Sequence, residues 1–168
     1  MATPQQNLVA ALKQLHKLQQ GRRSVFASAE FPRAVRERLL RHGFLRPVVK
    51  GWVLGTSPDI APGDSTPWYA SFWEFCARYC DARFADEWHL SPEQSLLLHA
   101  EDSSVPAQVL VCSPKGTNNT LALPFGTALF DLKEPKMPPA SAFVRRDGLR
   151  LARSTGKFFY QHDTYAAP

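Results

Sequence analysis

Apolar positions recur with a helical period across residues 5–19, where Leu8, Leu12 and Leu15 share one face and Lys13 and Lys17 lie opposite. Gly21 ends that predicted helix. Ser28 caps a short helical turn through Glu30 and Phe31, and Pro32 suits the first turn of a further helix, where its missing N–H costs nothing. Val35, Leu39 and Leu40 mark the buried face of that helix, and Gly43 supplies its C-terminal stop. Arg33, Arg36 and Arg41 project elsewhere, so the helix is apolar on one side and cationic on the other. The period then shortens. Leu45–Val49 and Trp52–Gly55 read as strands flanking Lys50-Gly51, a two-residue turn with a cation at its tip. Three helical segments ahead of a basic hairpin is the order of a winged helix-turn-helix, whose basic helix enters a major groove while the wing meets backbone.

Residues 56–65 (TSPDIAPGDS) break the pattern and read as a linker, so a winged helix-turn-helix domain is expected over 1–57 and a second domain over 58–168. Thr66 and Pro67 open a long helix. Tyr69, Phe72, Trp73, Cys76 and Cys80 form its stripe and Trp68, Phe75 and Tyr79 widen it, so it is expected to be the central core element. Ser91-Pro92-Glu93-Gln94 is a capping box opening a short helix through His99, for which a structural role is expected. Residues 105–112, 121–123 and 127–132 read as strands, with a turn-rich loop over 113–119. The Pro-rich stretch 133–140 is expected to be an extended surface arm, and Asp147-Gly148 a hairpin turn with Leu149 and Leu151 facing inward. The tail after Ser154 has no clear period. The expected fold class is α+β: a winged helix-turn-helix, then a small mixed α/β domain with an aromatic-rich helix and short strands.

Charge sharpens the first part of this picture. Residues 1–57 hold ten Lys and Arg against two acids, a net of +8, while the other 111 hold ten against thirteen, a net of −3. A field concentrated on one small domain favours a polyanionic partner, although cations on an exposed helix face are most often merely solvated. Arg22, Arg23, Arg33, Arg36, Arg41, Arg46 and Lys50 are therefore the candidate contacts to double-stranded DNA. No apolar run is long enough to span a membrane, the N-terminus lacks the order of a secretory signal, and the three cysteines are odd in number and sparse. These features lead to the expectation of a cytoplasmic protein.

Candidate chemistry is thin. No Walker loop, dinucleotide fingerprint, G-x-S-x-G elbow or H-E-x-x-H occurs. Cys76 and Cys80 stand one helical turn apart, but no neighbouring His or Cys completes a ligand set and a core role is expected. No catalytic residue, metal or cofactor is expected.

Four long segments carry a family resemblance in order: 36–55, 63–79, 88–119 (with its LSP, LH, VP and SP landmarks) and 123–131. Together they resemble the region ahead of the catalytic domain in bacterial Fic-family proteins and, more distantly, the AbiEi-type antitoxins. The likeness runs from about 24 to about 151. It implies a winged helix over 33–43 with the Lys50-Gly51 wing, and as partner a cognate toxin or a Fic domain. It implies no AMP transfer: the H-P-F-x-x-G-N-G-R loop is absent, because Pro124-Phe125-Gly126 follows Leu123 and no Arg completes it. The inhibitory S/T-x-x-x-E-G/N helix is missing too, and 155–168 departs from the family pattern. The resulting expectation is a DNA-binding transcriptional regulator of antitoxin type. The alternative is a non-catalytic interaction module of a Fic-family AMP-transferase.

Overall fold

Thr3 and Gln6 bond reciprocally, Thr3 Oγ1 accepting from the Gln6 N–H and Gln6 Oε1 from the Thr3 N–H, and this box starts α1 (Pro4–Leu18). The computed structural model describes residues 1–153; the readings of the tail after Ser154 and of 155–168 lie outside them. Downstream of α1 come β1 (Val25–Ala27), a 3-10 turn (Ser28–Glu30), α2 (Arg33–Arg41), β2 (Leu45–Val49) and β3 (Trp52–Gly55). The strands form an antiparallel sheet ordered β1–β3–β2, with Phe26 and Pro47 on either side of Val53. Pro47 is tolerated because β2 is an edge, where a missing N–H breaks no ladder.

Ala11, Leu15, Phe26, Phe31, Leu39, Leu45 and Val53 make one core, with Leu12, Val35 and Leu40 packed against it. The helical spacings of α1 and α2 and the inward positions of the sheet thus converge on a single cluster. The short helical turn expected after Ser28 is the 3-10 turn Ser28–Glu30, which buries none of its residues. α2 ends in a Schellman motif: Phe44 N–H donates to Leu39 O (2.9 Å) and Gly43 N–H to Leu40 O (3.2 Å). Gly43 sits at φ +78°, where a side chain would be strained.

The chain divides into two compact units, Met1–Ser71 and Phe72–Pro168. The division falls inside α3 (Thr66–Phe84), fourteen residues beyond the boundary read from the sequence, and the Pro- and Gly-rich segment belongs to the first unit. Arg46 explains part of this, since its guanidinium donates to the carbonyls of Ile60 and Ala61.

In the second unit Phe72, Phe75, Cys76, Cys80 and Phe84 on α3 are fully buried, whereas Trp73 is half-buried and donates its indole N–H to Ser103 O (2.8 Å). β4 (His89–Leu90), β5 (Gln108–Ser113), β6 (Asn119–Ala122) and β7 (Ala128–Lys133) form a mixed sheet ordered β4–β5–β7–β6. Its β5–β7 pair is parallel and the other two pairs are antiparallel. α4 (Pro92–His99) starts at Ser91, whose Oγ accepts from the Gln94 N–H. A hairpin of β8 (Phe143–Arg146) and β9 (Leu149–Ala152) turns through Asp147 and Gly148, both at positive φ. It docks on α4: His99 Nε2 meets Ala152 O at 2.7 Å, and Ala152 N–H donates to Ser95 Oγ at 3.0 Å. The Pro-rich stretch is not wholly a surface arm, because Pro138 is buried and Met137 packs against Phe143 and Ala152. The described residues are thus α+β, and no helix among them is long and apolar enough to cross a membrane.

Candidate nucleic-acid interface

The seven candidate cations divide by what their side chains already hold. Arg23 is half-buried over the Phe26 ring (4.9 Å) and forks onto Glu30, both oxygens at 2.8 Å. Glu30 Oε2 in turn accepts from the Ala27 N–H (2.8 Å), so the pair ties the 3-10 turn to the end of β1. Arg36 Nη1 donates to Ser28 O at 2.7 Å and fastens α2 to the same turn. Arg46 is held by the loop carbonyls of Ile60 and Ala61. These three guanidiniums act as braces inside the first unit.

Arg22, Arg41 and Lys50 are different. All three are exposed, and their side chains make no hydrogen bond or ion pair among the described residues. Lys50 stands at the hairpin tip and Arg41 in the last turn of α2. Arg33, at the start of α2, is also exposed but donates Nε–H to Glu37 Oε1 (2.8 Å).

Arg33, Glu37 and Arg41 follow one another at four-residue spacing, so they form one row along the solvent face of α2, about 12 Å from end to end. The row alternates plus, minus, plus. The Arg33 hydrogen bond, then its charge and the charges of Arg36 and Arg41, hold the Glu37 carboxyl below the usual carboxylate range. Glu37 therefore stays ionised in the middle of the cationic face and reduces its field. Polyanion binding must either displace the Arg33–Glu37 pair or work around it, and an exposed pair at this spacing is weak enough to be displaced.

Sequence reading identified the cations but not the braces, because Ser28, Glu30, Ile60 and Ala61 become partners only through folding. Arg38, left out of the candidates, is also half-buried, with Nη1 3.5 Å from Asn7 O. Comparison with protein-family models, curated proteins and solved structures gives no match for the chain.

Proposed function

We propose that the first unit is a winged helix-turn-helix that binds double-stranded DNA, and that the chain is a transcriptional regulator of antitoxin type. One observation carries the DNA reading. Helix, strand, helical turn, helix and hairpin follow in winged-helix order around a β1–β3–β2 sheet, with unpartnered cations at the end of α2 and at the hairpin tip. In that arrangement α2 takes the major groove and the β2–β3 hairpin is the wing. Arg33 reads base edges from the N-terminal end of α2, while Arg41 and Lys50 meet phosphates. The antitoxin part is supported by the resemblance over residues 24–151, which gives the second unit the role of docking a toxin.

Fluorescence anisotropy on duplexes from the protein's own promoter and on scrambled duplexes tests this. Arg33→Ala is expected to weaken the specific site roughly ten- to a hundredfold and random DNA far less. Lys50→Ala is expected to weaken both alike. Equal loss on both duplexes for Arg33→Ala would remove the base-reading role.

A second reading has its own support. The ionised Glu37 at the centre of the α2 face suits a protein surface of mixed charge better than a phosphate row. In that case the chain is a non-catalytic interaction module of the kind found ahead of Fic domains, and promoter DNA would bind no more tightly than any polyanion.

A further inference from the structure

The second unit carries a cluster that the DNA reading does not use. His89 on β4 lies opposite Cys112 on β5 in the antiparallel register. Glu134 follows the last residue of β7, and its N–H donates to Ser113 O at 2.9 Å, which returns it beside β5. Three segments far apart in sequence thus deliver an imidazole nitrogen, a thiol sulfur and a carboxylate oxygen, all within 4.8 Å of one another. His89 and Cys112 are buried, and the Glu134 side chain is 14 % exposed.

The hydrogen bonds of His89 fix its chemistry. Nδ1 is 2.9 Å from Leu90 O, and a carbonyl can only accept, so Nδ1 carries the hydrogen. Nε2 then faces Glu134 Oε2 at 3.0 Å. Nε2 and the carboxylate oxygen thus face one place, where they either share a hydrogen or ligate a metal ion lying off the line between them. The imidazole ring is fully enclosed and packs on Phe143 at 5.0 Å between centroids. Cys112 Sγ, within 4.8 Å of the other two donor atoms, adds a soft third donor. An Nδ1–H bonded to a backbone carbonyl is the outer-shell contact that orients a ligating histidine through Nε2. One neutral nitrogen, one thiolate and one carboxylate balance a divalent charge, and zinc accepts all three at about 2.0–2.3 Å. Ligands around such an ion lie roughly 3.5 Å apart, and the three donor atoms here lie within 4.8 Å of one another.

We propose that His89, Cys112 and Glu134 bind a zinc ion that pins β4, β5 and the end of β7 together. The donor set favours zinc over magnesium or calcium, which prefer oxygen alone. Glu134, the least buried of the three, gives the ion its route from solvent, and a water completes four-coordination. Loading releases the Cys112 thiol proton to solvent as the metal–sulfur bond forms.

Cobalt(II) titration of the chelator-treated full chain tests the site. One equivalent is expected to give a thiolate-to-cobalt charge-transfer band that zinc bleaches, and zinc is expected to raise the melting temperature. Cys112→Ser should remove the band, while Cys76→Ala, with its thiol elsewhere in the core, should keep it. Glu134→Gln, at the partly exposed edge, should fold, retain the band and weaken metal binding roughly tenfold or more. Its behaviour decides the matter if Cys112→Ser does not fold. A folded wild type with no band and no zinc-dependent melting shift would overturn the proposal, as would unchanged affinity in Glu134→Gln. The three groups would then be a hydrogen-bonded histidine–glutamate pair beside an ordinary thiol.

Discussion

Arg36 and Arg41 stand five positions apart on one helix and have different work. Arg36 holds the Ser28 carbonyl, so Arg36→Ala is expected to cost about 1–3 kcal/mol of stability, read as a lower denaturation midpoint. Arg41→Ala, which breaks no side-chain bond among the described residues, is expected to melt like wild type. Asp131 is a sharper case. Burial raises its carboxyl, but the Asn119 N–H, the Thr117 hydroxyl and the Arg83 guanidinium outweigh this and hold it below the ordinary aspartate value. A carboxyl that binds its proton less readily when folded stabilises the fold fully above its unfolded value, near pH 4, and loses that contribution as pH falls through the lower folded value. Asp131→Asn should therefore be less stable than wild type at neutral pH, and the gap should narrow in acid melts. A constant gap from pH 7 to pH 2 would show that packing rather than charge matters there.

α3 concentrates the aromatic core of the second unit, and Phe72, fully buried, is its test position. Phe72→Ala is expected to cost about 3–5 kcal/mol in thermal or denaturant melts, and a shift within error would mean that the site collapses around the gap. Gly43→Ala is expected to cost roughly 1–2 kcal/mol, because it forces a side chain into the left-handed region while its Cβ would lie 3.3 Å from Pro58 Cα. These two elements also mark what the sequence makes legible. The end of α2, the limits of β2 and β3 and the start of α4 are written in local chemistry: a stop glycine, a hairpin turn, a Ser-Pro cap. The parallel β5–β7 pair is not, because β6 separates its partners in sequence and no nearby residue signals the register. The inward turn of Pro138 was hidden for a similar reason, since proline composition suggests extension but not what lies beneath. His89 and Glu134 stand more than twenty residues from Cys112 on either side, beyond any ligand-spacing motif, and only the sheet brings them together.

At the scale of the molecule, the account depends on the charge of the first unit acting on a polyanion. The net charge of +8 over residues 1–57 is a property of sequence, whereas the field reaching a phosphate depends on which cations remain unbraced. Of the candidate DNA contacts, Arg22, Arg41 and Lys50 remain, with Arg33 tied to Glu37 beside them. Glu37→Gln frees Arg33 and removes the opposing charge, so it is expected to tighten DNA binding several-fold, whereas a protein partner matched to that acid would be lost. The most direct measurement is the slope of log affinity against log salt for wild type, Arg41→Ala, Lys50→Ala and Glu37→Gln on one promoter duplex. DNA binding by α2 and the wing predicts a clear negative slope for wild type. The slope should become shallower by about 0.9 in each cation variant and steeper in Glu37→Gln. A wild type that binds without salt dependence, or three variants that share its slope, would contradict it.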